Sequence, residues 1–415
     1  MPAFPRLSLM HPTGNPFARQ AAIALAEAGY LQAIVTAIAY QPQGWLPQVL
    51  RAWPRTRRLE GELQRRTWVA PPGIRQYTYP RREQFRHAIL KTGLAQRLGL
   101  HPQGLADWVY AGLDRQVARR HLKGITAVYA YEDAAATTFV AAKERGITCI
   151  YDLPIAHYRH GQQVQAAEAA QFPDLAPALQ TLREPAWKLA RKDQELRLAD
   201  RIIVPSSQVQ QSLVAAGIAP AKVAVVPFGA PCDRFQPGVK GDRTFRALFV
   251  GRVGPRKGVH HLLAAWQQAR LPDAELWLVG VNEFPTGWLA PYESLIRYIP
   301  SVPHATLPQY YQQASVFVFP SLLEGLALVL LEAMACGLPV LATAASGAAD
   351  VMTDGVEGWL LPRGDRQALM EKLIWCYEHP EALAAMGRAA RRQAERCHWG
   401  RYRQGLVAAI EPLVL

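Results

Sequence analysis

The sequence predicts an α/β protein made of two Rossmann-like, parallel-sheet domains, and three observations carry that prediction. At 415 residues the chain exceeds what a single hydrophobic core usually supports, and half its residues are hydrophobic, enough for two cores. Short apolar runs alternate with helical patterns in both halves, which is the signature of βαβ units. Between the halves lies Pro227-Phe228-Gly229-Ala230-Pro231-Cys232-Asp233-Arg234-Phe235-Gln236-Pro237-Gly238, a Pro- and Gly-rich connector.

Leu7 to Met10 opens the first half as a short strand, followed by the tight turn His11-Pro12-Thr13-Gly14-Asn15-Pro16 and by a helix over Ala18 to Ala28, closed by Gly29. Further strands are expected at Ala33 to Ala39, Ala127 to Ala130, Thr148 to Tyr151 and Arg201 to Val204, with a helix over Ala134 to Arg145 among them. In the second half the strands fall at Ala247 to Val250, Glu275 to Val279, Val316 to Phe319, Val340 to Thr343 and Trp359 to Leu361, with a helix over Val259 to Ala269. The domains are placed at residues 1–228 and 239–394. The stretch from about Arg391 to Ile410 reads as a helix.

The formal net charge of +13 favours anionic partners: nucleotides, phospholipid headgroups or nucleic acid. Cys149, Cys232, Cys336, Cys376 and Cys397 are odd in number, scattered and free of Cys-x-x-Cys pairs, which argues against a disulfide framework and a structural zinc site. The N-terminus lacks the organisation of a secretory signal, so the cytoplasm is the expected compartment. Pro320, Glu324, Glu332 and Pro339 interrupt every apolar window of membrane-spanning length between residues 316 and 349.

Chemistry is most legible in Pro320-Ser321-Leu322-Leu323-Glu324-Gly325-Leu326-Ala327-Leu328-Val329-Leu330-Leu331-Glu332-Ala333-Met334. Two carboxylates stand in one of the most apolar stretches of the chain, where each needs a dedicated hydrogen-bond partner. The preceding run is a buried strand and Val329 to Cys336 a helix, so Glu324 lies in the loop at a strand's carboxyl end, where open α/β sheets bind ligands. The first-turn N–H groups of the following helix suit a phosphate. Upstream, Phe249-Val250-Gly251-Arg252-Val253-Gly254-Pro255-Arg256-Lys257-Gly258 sets two cations, Arg252 and Lys257, around a Gly- and Pro-containing turn, a planar fork and a point charge for a pyrophosphate. Arg256 is expected to face solvent.

These two segments resemble the donor-site signature of the group 1, or family 4, retaining glycosyltransferases: Glu324, seven residues and Glu332, then Glu-Ala-Met-Ala-Cys-Gly-Leu-Pro-Val ending at Val340, with the Arg252/Lys257 turn upstream. A third, weaker match covers Ala199 to Ser206 and Val225 to Gly229, so the resemblance spans residues 199 to 340 in the family's order. It implies two Rossmann-like domains facing a cleft, the GT-B architecture, with the C-terminal helix, about 395–415, packing back on the first domain. It implies hexose transfer from a nucleotide-diphosphate sugar to an acceptor hydroxyl, with retention and with no cofactor. By the same resemblance Glu324 contacts the donor sugar, Gly325 lines the substrate, Glu332 accepts from the ribose hydroxyls, and the backbone N–H groups of Leu328 and Val329 meet the pyrophosphate. Many relatives have Gly where this chain has Ala327, which puts loop flexibility in question. No Asp-x-Asp motif flanked by an apolar strand appears, and no metal is expected.

In the first half, Gly14 either offers its N–H to the diphosphate, or shapes the acceptor pocket, or belongs to a plain β-to-α turn. His157, after another strand, is either a donor-sugar contact, and so a catalytic candidate, or a solvated residue. Asp133, beside Glu132, reads as a helix N-cap. From Trp45 to Arg86, arginines interleave with aromatic residues, a composition suited to an anionic membrane surface or to a phosphorylated, lipid-linked or glycan acceptor, and equally to a solvated charged face. No nucleic-acid motif accompanies it. Competing functions are a sugar-nucleotide epimerase or sugar-phosphate synthase of related fold, and a catalytically silent glycan- or protein-binding scaffold. A nicotinamide dehydrogenase is disfavoured because neither half has Gly-x-Gly-x-x-Gly after its first strand.

Overall fold

The structure is a computed structural model that describes residues 5–42 and 66–414. The first sheet comprises β1 (Leu7–Met10), β2 (Leu31–Thr36), β3 (Arg75–Thr78), β4 (Ala127–Tyr131), β5 (Thr148–Asp152), β6 (Arg201–Val204) and β7 (Val223–Val225) in the order β3-β2-β1-β4-β5-β6-β7, every pair parallel. The second comprises β8 (Arg246–Val250), β9 (Glu275–Val279), β10 (Ile296–Ile299), β11 (Val316–Phe319), β12 (Val340–Thr343) and β13 (Gly358–Leu361), ordered β10-β9-β8-β11-β12-β13 and again parallel. In both, the order reverses beside the first strand, at β1/β4 and β8/β11. A crevice opens at such a point at the carboxyl ends of the strands.

Central strands form where the sequence is continuously apolar, because helices cover both faces. Phe249, Phe317 and Phe319 are fully buried, and Phe249 stacks on Phe319 with centroids 5.7 Å apart. Three strands are missing from the sequence reading, all at sheet edges: β3 and β10, whose partly exposed residues have no continuous apolar run, and β7, which is three residues long. The first helix, Pro16–Glu27, begins two residues earlier than its apolar pattern because Asn15 caps it, accepting from the Ala18 N–H at 2.9 Å, with Pro16 at the first helical position.

The helix expected over Arg391 to Ile410 is two helices, Pro380–Arg396 and Trp399–Val414. They part at Cys397 and His398, where Ala230 of the connector hydrogen-bonds the Cys397 carbonyl and pairs with His398. The last helix lies on Pro16–Glu27, with Tyr30 donating to Glu411 at 3.3 Å and Arg403 to Gln20 at 2.9 Å.

Asp133 is not a helix cap. Its φ of 67° turns the chain, and its carboxylate pairs with Lys188 at 3.0 Å. The helix Ala136–Lys143 is capped from outside, by Glu195 on the N–H groups of Ala135 and Ala136 and by Asp114 on those of Thr137 and Thr138.

Part of the Arg-rich segment, residues 43–65, lies outside the described residues. In the rest several arginines are engaged within the chain. Arg66 and Arg86 both pair with the buried Glu83, and Arg82 lies over Trp108 at 4.5 Å. Trp68 is buried rather than interfacial. Among the described residues no helix is long and apolar enough to cross a membrane.

Candidate functional site

The carboxyl edge of the second sheet assembles the donor motif from three connections. After β8 the chain turns through Gly251 to Gly258; Gly258 adopts φ 67°, and a Cβ there would lie 2.0 Å from the Pro320 carbonyl oxygen. That approach, with Leu322 N–H donating to the Arg256 carbonyl at 3.0 Å, locks the basic turn against the loop after β11. The result brings Lys257 into contact with Glu324, so the two sequence-predicted residues share one site.

Arg256 is not solvent-facing. Its guanidinium donates to Glu324 and to the Leu323 carbonyl, both at 2.9 Å, because the Gly258 turn folds it back over the loop. Arg252 is the exposed member, with its side chain 62% accessible and paired with Glu283 on the loop after β9. Burial, reinforced by Arg256 and Arg252, pushes the Lys257 ammonium well below the ordinary lysine value, while Glu283 and the touching Glu324 carboxylate work the other way. Glu324 thus supplies the counter-charge to Lys257 and Arg256, the cations that an incoming anion would use.

The helix Leu328–Ala335 starts from Ala327 with no side-chain cap. Among the described residues the N–H groups of Leu328 and Val329 have no acceptor, and they supply the donors and positive dipole end that a phosphate needs. Ala327 has φ −75° and ψ 114°, extended backbone that alanine adopts without strain, so the loop needs no glycine there. Gly325 does. A Cβ at this position would lie 1.9 Å from the Pro154 carbonyl oxygen in the other domain. Its own carbonyl accepts from Ser206 Oγ at 2.7 Å, and Ile155 pairs with it as an antiparallel bridge.

Glu332 is buried and accepts from His304 Nε2 at 2.7 Å and Tyr311 Oη at 3.0 Å. His304 in turn meets Arg234 of the connector at 3.3 Å. Gly14 has φ 62°, and a Cβ there would collide with the Trp68 indole at 2.2 Å. Its N–H donates to His11 Nδ1 at 2.8 Å and is turned into its own loop rather than toward a ligand. His157 is buried, not solvated: its Nδ1 accepts from the Arg159 N–H at 3.3 Å at the start of the helix Tyr158–Gln171. Burial first, then Arg159, pulls its pKa down to about 4, so the ring is neutral at pH 7. A cavity of about 840 Å³, lined by Lys240, Thr244, Pro272, Ser315 and Pro339 among others, opens at the amino ends of the second sheet's strands; Tyr311 and the motif's Cys336 to Pro339 border it, but Arg252, Lys257, Glu324 and Glu332 do not.

Comparison with known families matches residues 24–234 to glycosyltransferase family 4 and residues 233–393 to the glycosyl transferases group 1. The chain belongs to glycosyltransferase family 4. Curated relatives of this glycosyltransferase include a D-inositol 3-phosphate glycosyltransferase 2 from Catenulispora acidiphila, 32% identical over 286 residues, covering 62% of this chain and 64% of the relative. A D-inositol 3-phosphate glycosyltransferase from Geodermatophilus obscurus is 31% identical over 289 residues, 62% of this chain and 61% of the relative. The chain thus spans less than two thirds of the length of these relatives. Among solved structures, sucrose-phosphate synthase from Thermosynechococcus elongatus superposes with a TM-score of 0.70 at 20% identity, covering 99% of both chains. HepE from Anabaena, solved in complex with UDP, gives 0.63 at 17% identity over 98% of this chain and 100% of that one. At such identities the likeness concerns the fold, which is GT-B.

Sequence reasoning does not find four residues of the candidate site: Arg256, Glu283, His304 and Tyr311. The need for partners to two buried carboxylates predicted that such residues exist. Only the tertiary fold selects them, because His304 and Tyr311 reach Glu332 from another connection.

Proposed function

We propose that the chain transfers a hexose from a nucleoside-diphosphate sugar to an acceptor hydroxyl with retention of anomeric configuration. The observation that carries this reading is the convergence of Lys257, Arg256 and Glu324 in the loop that leads into the helix Leu328–Ala335, whose Leu328 and Val329 N–H groups have no acceptor among the described residues. Those cations and dipoles supply the charge stabilisation that a departing diphosphate needs. The diphosphate displaces Glu324 from Lys257, and the freed carboxylate accepts from the donor sugar's hydroxyls. Glu332, held by His304 and Tyr311, accepts from the ribose hydroxyls. The bond from the anomeric carbon to the phosphate oxygen breaks, the acceptor oxygen bonds the same carbon on the same face, and the acceptor's proton passes to the departing phosphate. His157 holds its helix start rather than the sugar, and Gly325 seals the site against the first domain.

The HepE structures solved with UDP and with UDP-glucose support a nucleotide sugar as the donor class. The acceptor is proposed to be anionic, in keeping with the +13 charge and with relatives named for D-inositol 3-phosphate. A cytoplasmic location with contact to an anionic membrane completes the reading. The test is incubation with a panel of nucleotide sugars and phosphorylated acceptors, with the product's anomeric configuration read by NMR. Transfer with retention is expected. An epimerised donor, an inverted product, or nucleotide release only by hydrolysis overturns the proposal.

A further inference from the structure

A second constellation lies across the domain seam, apart from the donor motif and independent of how that motif is read. Glu168, near the end of the helix Tyr158–Gln171 in the first domain, meets His260 and His261, which open the helix Val259–Ala269 in the second. All three are more than nine-tenths buried. Both Nε2 atoms point at a single carboxylate oxygen, Glu168 Oε1, in contact for His260 and at 2.8 Å for His261. The three donor atoms all lie within 4.8 Å of one another. The Phe172 ring stands edge-on to both imidazoles, with centroids 4.9 and 5.6 Å away, and closes one side. His260 Nδ1 is buried with no hydrogen-bond partner, which hydrogen bonding to Glu168 alone does not explain.

We propose that Glu168, His260 and His261 bind one borderline divalent transition ion, of the zinc and cobalt class, that ties the two domains together. Two imidazoles and one carboxylate suit this class, whereas calcium and magnesium prefer more oxygen ligands. Three protein ligands leave a fourth position for water. Tetrahedral bonds of about 2.0–2.1 Å set ligand atoms roughly 3.4 Å apart, so the three atoms move outward by about half an ångström on loading. Each ring shifts its proton from Nε2 to Nδ1, and no net proton is released. His260 Nδ1 takes that proton without losing a bond. His261 Nδ1 now accepts from Arg366 Nε at 3.1 Å, so Arg366 must withdraw toward its stack on Phe172, where its guanidinium already lies 4.8 Å from the ring centroid. Arg366, with Arg363 facing Glu168 as well, opposes the cation and sets its affinity.

The test uses the full chain, stripped with chelator and free of nucleotide, titrated with Co²⁺ by visible absorption and with Zn²⁺ by calorimetry. One equivalent of Co²⁺ is expected, with the ligand-field bands of a low-coordinate nitrogen and oxygen donor set. Glu168→Gln and His260→Ala should each weaken binding at least tenfold. Arg366→Gln, which removes a cation and presents an amide oxygen to the His261 Nδ1–H, should tighten it several-fold. Should the ligand variants fail to fold, Arg366→Gln decides alone, since it keeps all three ligands. The proposal is overturned if Co²⁺ does not bind with these bands, if the ligand variants bind as the parent does, or if Arg366→Gln leaves affinity unchanged or weaker; the cluster is then a hydrogen-bonded interdomain latch only.

Discussion

Replacing Lys257 by Ala separates a group that stabilises a leaving phosphate from one that merely fills a buried ion pair. Lys257 contacts Glu324, and its side chain is only 11% accessible. Removing one partner of a buried pair ordinarily costs about 3–5 kcal/mol, because the other charge is stranded. Here Glu324 keeps Arg256 at 2.9 Å and Ser321 Oγ at 3.3 Å, so the folding loss should fall to about 1–3 kcal/mol. Loss of a donor to a developing anion is far more visible in turnover, at about 2.7–4 kcal/mol or 10²–10³-fold in kcat. The assay pairs initial rates on a nucleotide sugar with urea unfolding of the same preparation. A kcat within about threefold of the parent would refute the charge-stabilising role. So would an activity loss that merely follows a folding loss of about 5 kcal/mol.

Glu332→Ala should weaken nucleoside-diphosphate binding roughly 10- to 150-fold, the equivalent of about 1.5–3 kcal/mol for charge-assisted hydrogen bonds. It also leaves the buried Tyr311 hydroxyl only the Val329 carbonyl at 3.5 Å, so adding Tyr311→Phe should restore part of the stability but not affinity; an unchanged dissociation constant in calorimetry removes Glu332 from the ribose site. Gly325→Ala places a methyl group 1.9 Å from the Pro154 carbonyl, and the forced shift should lower unfolding free energy by about 1–3 kcal/mol and open the seam to hydrogen exchange. Exchange and stability both unchanged would show that the domains do not meet there.

Asp152 is buried against the Tyr129 hydroxyl at 2.6 Å, and burial raises its pKa from 3.8 to about 7. The native state thus holds a proton that the unfolded chain releases above pH 4, so the stabilisation is complete below 3.8 and is lost as pH rises through 7. Asp152→Asn should gain stability relative to the parent as pH rises, by about 1 kcal/mol at pH 4.5 and about 4 kcal/mol at pH 8, read by denaturant unfolding. A difference that does not vary with pH would contradict the buried, protonated carboxyl.

Central strands and the donor motif were legible because burial on both faces writes itself as apolar runs, and Glu324 and Glu332 stand out against one. Edge strands β3 and β10 were not, since half-exposed residues carry no such run. Arg256 was misjudged because its neighbour in sequence is a surface-like turn, whereas its neighbour in space is the loop after β11, brought close by Gly258. Asp133 looked like a cap by position, but the helix takes its caps from Glu195 and Asp114, many residues away. The clustering of Glu168 with His260 and His261 has no local sequence signal, because it exists only where two domains meet.

The most direct test of the donor site is a crystal structure of the protein soaked with a nucleoside diphosphate. Phosphate oxygens should appear within hydrogen-bond distance of Lys257 Nζ and the Leu328 and Val329 N–H groups, the ribose should lie on Glu332, and Glu324 should have left Lys257. Density for the nucleotide elsewhere, or Glu324 still paired with Lys257 beneath a bound nucleotide, would contradict it.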